Sequence, residues 1–245
     1  MNMSKKKSMF LTIAAVLSCI VVVVCVVTCS HVTDATLCEK VDIVIEDYET
    51  RKYVDVKELE NYLKSVSCYS LGQPVGQIDC YSIEQALLGH SMIRTAHCHK
   101  TAMGVVSISV SQRVPVFSVN TSDTIYWVDS DRRVMPCCEG VEPNILPIFG
   151  SLTVESATED IFDFVMWLDK NEYWKEKISS VQIDDSNSVI LNQVNYDAKI
   201  LLGTLSGYED KLARLQKLYT QGFDLLGYPE CQELDLRFNG QVVRR

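Results

Sequence analysis

One run of residues, "MFLTIAAVLSCIVVVVCVVTCS" from Met9 to Ser30, constrains this chain more than any other feature, because its 22 residues carry no charge. Roughly 20 helical residues cross the ~30 Å hydrocarbon core of a bilayer, whereas the apolar core of a cleaved signal peptide is about 7 to 15 residues long. No small-x-small cleavage pattern follows the run. It predicts a single transmembrane helix over residues 9–30 behind a short tail of residues 1–8. Lys5, Lys6 and Lys7 precede the run, and Asp34 and Glu39 follow it. By the positive-inside rule the N-terminus lies in the cytoplasm and the rest of the chain lies across the membrane.

Charge then narrows the partners. Beyond residue 30 there are 20 basic and 32 acidic side chains, a net charge of −12. Nucleic acids and anionic headgroups attract cations through their phosphates, so this balance argues against both as ligands. With 47% hydrophobic residues among 245, the chain reads as ordered and large enough for one or two modest domains. Seven cysteines lie beyond the run, Cys38, Cys68, Cys80, Cys98, Cys137, Cys138 and Cys231. An odd count leaves at least one unpaired even in an oxidising compartment. Cys68 and Cys80 flank a loop holding Gly72, Pro74 and Gly76 and are the first pair to test; buried free thiols are the default for most of the seven.

The fold class that follows is α+β. "VDIVIED" alternates like a strand, and the helix after it has legible capping: Asp55 as cap, Glu58 three residues on, and Val54 stapled to Leu59. A second helix starts after Asp79, with Ile78 and Ile83 in the same staple relation, and runs to Gly89. Strands "IRTAHCHKT" and "VVSISVSQRV" follow, joined by a turn at residues 102–104, so the order is β-α-α-β-β. From Pro115 short strands form a meander, "VFSVN", "TIYWVD" and "RRVMP", and "EPNILPIFG" reads as a connecting loop. Capping boxes Ser156/Glu159 and Ser206/Glu209 predict two helices, with Ile161, Val165 and Leu168 on the face of the first and Leu212, Leu215 and Tyr219 on that of the second. Strands "SVQID", "SVILNQV" and "AKILLG" lie between them. The domains expected are therefore 38–114, of β-α-α-β-β order, and 115–245, β-rich with about two helices.

Strong catalytic signatures are absent: no GxSxG, HExxH, GxxxxGK[ST], Rossmann glycine fingerprint or CxxC occurs. His97, Cys98 and His99, with Cys137 and Cys138, are the nearest thing to a metal site, but alternating polar residues on a solvent-facing strand account for the histidines. No catalytic residue, metal, cofactor or small-molecule substrate is expected.

The last stretch, "CQELDLRFNGQVVRR", alternates Leu234, Leu236 and Phe238 with charged residues until Asn239-Gly240, a strong tight-turn signal. A two-residue hairpin there sets Phe238 opposite Gln241, Leu236 opposite Val243 and Asp235 opposite Arg244, with Leu234, Leu236, Phe238 and Val243 on the core face. A bulge within one continuous strand is the alternative. Both leave the backbone edge of the final strand open, where edges are usually hidden or blunted.

Together these features resemble the bacterial cell-division family FtsQ, also called DivIB. The stretch Gln112, Arg113, Val114, Pro115, Val116, Phe117 matches the Arg and Pro of the family's Glu-Arg-x-Pro-Val-Ala motif, with Gln for Glu and Phe for Ala. "IYWVDSDRRVMP" resembles its aromatic strand, acidic turn and strand closing on Pro, except that Arg132-Arg133 stand where glycine is usual. "LPIFG" resembles its Pro-x-x-x-Gly loop and "LDLRFNGQVV" its closing segment. The resemblance implies that the first domain is a POTRA domain with a role in recruitment to the division septum. It also implies a non-enzymatic scaffold in the inner membrane with its bulk in the periplasm. Its partners would be FtsB-like and FtsL-like bitopic proteins, docking on Asp235, Leu236, Arg237, Phe238, Asn239, Gly240, Gln241, Val242 and Val243 by strand addition. Removing the Phe238 ring, or residues 241–245, is then expected to abolish binding without unfolding the protein. Other readings are a POTRA-bearing protein of outer-membrane assembly or secretion, and an anchored periplasmic metalloenzyme.

Overall fold

The computed structural model describes residues 16–24, 36–138, 140–227 and 230–245. Residues 16–24 are helical and exposed, and the rest of the run 9–30 lies outside the described residues. Among the described residues no helix is long and apolar enough to cross a membrane. The chain divides into two compact units between Gln112 and Arg113.

The first unit has the order β1 (Lys40–Ile45), α1 (Val56–Ser65), α2 (Cys80–Leu88), β2 (Ile93–Lys100) and β3 (Val105–Gln112). β3 lies in the middle of a three-stranded sheet, parallel to β1 and antiparallel to β2. Its buried residues Val106, Ile108, Val110 and Gln112 recur at period two, the strand repeat. Leu59 and Leu63 of α1 and Ile83 and Leu87 of α2 are buried as well, at helical spacing. The helix starts are those the sequence predicts: Asp55 accepts from the Glu58 N–H at 2.7 Å, and Asp79 from the Tyr81 N–H at 3.1 Å. His97 and His99 are exposed on β2, and among the described residues no group of three His, Cys, Asp or Glu side chains could hold a metal.

The second unit is a nine-stranded sheet in the order β12-β11-β10-β9-β8-β7-β4-β5-β6. Its strands are β4 (Pro115–Asn120), β5 (Ile125–Asp129), β6 (Val134–Pro136), β7 (Leu146–Gly150), β8 (Ile178–Ile183), β9 (Val189–Gln193), β10 (Lys199–Gly203), β11 (Glu233–Asp235) and β12 (Val243–Arg244). Parallel neighbours need a crossover long enough to return the chain, and helices supply two of them. α3 (Val154–Thr158) and α4 (Asp160–Lys170) link β7 to the parallel β8, and α5 (Tyr208–Leu218) links β10 to the parallel β11. The core gathers Phe117, Ile148, Val181, Leu191, Ile200 and Leu234 from successive strands with Phe164 and Leu168 of α4 and Leu212 and Leu215 of α5. At its start the Arg113 guanidinium donates to Asp129 at 2.7 Å, both side chains being almost fully buried.

Three local expectations are corrected. "LPIFG" is a strand, not a connecting loop, because β7 is paired on both sides, Val119 opposite Ile148 and Ile148 opposite Val181. Gly150 ends it at φ 135, and a Cβ there would overlap the Ile183 carbonyl. Neither predicted capping box forms. Thr153 caps α3 by accepting from the Ser156 N–H at 3.1 Å, which places Ser156 inside that helix, and Glu159 gives α4 no side-chain cap. α5 starts after Gly207, whose left-handed conformation, φ 66, takes the capping position from Ser206.

Candidate docking edge

The predicted docking residues lie at one end of the nine-stranded sheet. β11 runs parallel to β10, with Ile200 beside Leu234 and Leu201 beside Asp235, and the Leu236 N–H continues the ladder to the Leu201 carbonyl at 2.9 Å. Leu234 and Leu236 are fully buried in the core. β12 then returns antiparallel, with Leu234 opposite Arg244 and Asp235 opposite Val243.

This register is one residue away from that of the predicted two-residue hairpin, and a one-residue slip exchanges the faces of the returning strand. Leu236 does not face Val243, and Asp235 does not face Arg244. The connection is the seven residues 236–242, with the turn at Asn239-Gly240, where Gly240 has φ 74. The cause is Arg237. Its Nε and Nη2 donate to Asp235 at 2.9 and 2.7 Å, and its own N–H donates to Asp235 Oδ1 at 3.1 Å, closing a ring that takes the chain out of the extended path. Gly203 makes room for it, since a Cβ there would lie 2.8 Å from Arg237 Cγ. The strand ends, and Phe238 turns outward with 42% of its surface exposed instead of joining the core. Val242, not Val243, packs against the core.

Asp235 is fully buried and meets a second guanidinium, that of Arg245 at 3.2 Å. Its hydrogen bonds from Arg237, and then the charges of Arg237 and Arg245, hold its carboxyl below the usual carboxylate range despite burial. From α5, Arg214 Nη1 donates to the Phe238 carbonyl at 3.1 Å and ties down the connection. Arg214, Gly203 and Arg245 thus belong to the site although the sequence did not single them out. The first two are distant in the chain and carry no local signal; Arg245 entered only as the end of the segment 241–245, not as a docking residue.

Among the described residues no strand pairs with the outer side of β12, and the ladder sets which groups face it. Glu233 and Arg245 exchange two main-chain hydrogen bonds, of 2.9 and 3.1 Å. In an antiparallel pair bonded and non-bonded positions alternate, so the N–H and C=O of Arg244 point away from β11. Gln241 and Arg244 are exposed, and Val242 and Val243 half-buried. The edge therefore presents main-chain groups, an aromatic ring and several guanidinium groups, on a chain whose overall charge is negative.

Two family models match the chain. A POTRA-like domain covers residues 36–111. The model described as FtsQ/DivIB, C-terminal related, covers residues 114–244, more than half of the chain, and takes in the whole nine-stranded sheet with its open edge. A search among curated proteins finds no match. A POTRA-like unit of β-α-α-β-β order, followed by a β-rich unit matched along its length, places the chain in the FtsQ/DivIB-related family.

Proposed function

We propose that the protein is a non-enzymatic scaffold of the cell-division machinery that receives a strand of an FtsB-like or FtsL-like partner along β12. Residues 9–30 anchor it in the inner membrane, with the N-terminus cytoplasmic and the bulk periplasmic at the division septum. The observation that carries this reading is the outward-directed main chain of Arg244, on the edge of the sheet that matches the FtsQ/DivIB C-terminal domain. A partner strand would satisfy that edge, and side-chain contacts would select the partner. Phe238 offers a half-exposed ring beside the edge, and Arg237, Arg244 and Arg245 favour a partner segment with acidic residues.

The test separates docking from folding. Arg244→Pro removes an N–H that points outward, so proline is tolerated there as at other strand edges. Its affinity for the periplasmic part of an FtsB-like partner should fall at least tenfold, about 1.4 kcal/mol, and Arg244→Ala should lose less. Phe238→Ala should lose about thirtyfold, about 2 kcal/mol. Thermal unfolding of all three should match the parent. Unchanged affinities for both Arg244→Pro and Phe238→Ala in a calorimetric titration would sink the reading.

A further inference from the structure

Cys38, Cys68, Cys80, Cys98, Cys137, Cys138 and Cys231 are free thiols, the state taken as the default, and Cys80, first considered with Cys68, has another neighbour. Cys80 opens α2, and its thiol neighbours that of Cys98 on β2. Two further contacts hold these elements together on either side of the pair. Glu84, one turn after Cys80 on the same helical face, accepts from the Cys98 N–H at 2.7 Å. Lys100 Nζ donates to the carbonyls of Val75 and Ile78, just before the helix, at 2.8 and 2.6 Å. β2 is an edge strand of the three-stranded sheet, so these bonds tie its outer side to α2 and to the segment just before it.

From this geometry we infer that Cys80 and Cys98 are a disulfide-forming pair that staples α2 to the edge strand β2. Both thiols are free, half-buried neighbours, so closure to the ~2.05 Å of a disulfide asks for side-chain rotation within a framework the flanking bonds keep in place. The oxidant is a disulfide, of a small molecule such as oxidised glutathione or of a protein. Burial, and then the neighbouring Cys80 and Glu84, push the Cys98 thiol up, which makes it the poorer first nucleophile. Cys80, as thiolate, attacks one donor sulfur, forming a mixed disulfide and releasing the other half as a thiolate. Cys98 then loses its proton and attacks the Cys80 sulfur, releasing the second half. Two protein thiols give up two protons and two electrons, and the donor disulfide becomes two thiols. The bond closes a loop over 17 intervening residues, which restricts the unfolded chain.

The inference is independent of the docking edge, and adding the donor to purified protein makes its test independent of cellular location. The full chain is purified reduced, treated with oxidised glutathione, blocked with an alkylating agent and digested without reductant. A cross-linked peptide joining Cys80 to Cys98 is expected, with a mass about 2 Da below that of the two thiol peptides. The unfolding midpoint should rise by about 5 °C and return on reduction. Cys80→Ser and Cys98→Ser should each abolish the cross-link and the shift. Alkylation of both thiols after oxidation, or a cross-link from Cys80 to Cys68 instead, would overturn the inference. The peptide map of the parent protein decides this even where a variant fails to fold.

Discussion

Gln112 stands where the related motif has Glu, and its surroundings require an amide. Its Oε1 accepts from the N–H groups of Tyr53 and Val54 at 2.9 and 3.1 Å, while its Nε2 donates to Asp47 Oδ1 at 3.2 Å and to the Arg51 carbonyl at 2.7 Å. Only a group that both accepts and donates satisfies all four. Gln112→Glu would remove two donors and set a second carboxylate against Asp47 in a site where Gln112 is 1% exposed. We expect a loss of about 2 to 4 kcal/mol, read as a lower urea midpoint at unchanged slope; equal midpoints would refute this account. Arg132 is the opposite case. It adopts φ 62 where the related turn usually has glycine, and its guanidinium lies 4.4 Å over the Phe162 ring, bonded to Asp163 and to the Thr158 carbonyl. Those contacts offset the cost of a left-handed residue, and none of them is visible in the dipeptide Arg132-Arg133.

Among the elements, helices capped by residues of their own first turn were legible, as α1 and α2 show. The strand β7 and the register of β12 were not, because both depend on partners far along the chain. The terminal hairpin shows the consequence for stability. Arg245 exchanges main-chain bonds with Glu233 and pairs with Asp235, so deleting residues 241–245 removes structure as well as a docking surface. Its pH dependence follows from Asp235, whose folded pKa lies below the ordinary 3.8. Stability from the ionised carboxylate is full above that unfolded value, and it is lost as pH falls below 3.8 towards the folded pKa. Thermal unfolding from pH 6 down to pH 2 should therefore show a loss in the parent below about pH 4 that is smaller in Asp235→Asn. Asp235→Asn itself should cost about 2 to 4 kcal/mol at pH 6, since two guanidinium groups lose their anion. An identical slope with pH in both proteins would contradict this account.

At the scale of the whole molecule, the two units are each compact and have separate sheets. Each should fold alone: fragments 36–112 and 113–245 should each show a cooperative thermal transition and dispersed amide resonances, and a fragment without either would show that its core is incomplete. The sequence by itself determined the α+β class, the β-α-α-β-β order, the helix faces and the alternation that buries Leu234 and Leu236. These rest on periodicity and capping, which act between residues a few positions apart. Only the tertiary structure decided that "LPIFG" is a sheet strand, that Cys98 bonds to Glu84 of α2, and that Phe238 turns outward at an edge slipped by one residue. Those outcomes depend on groups distant in sequence meeting in one place: β4 and β8 flanking β7, α2 lying along β2, and Gly203 leaving room for Arg237 to close on the buried Asp235.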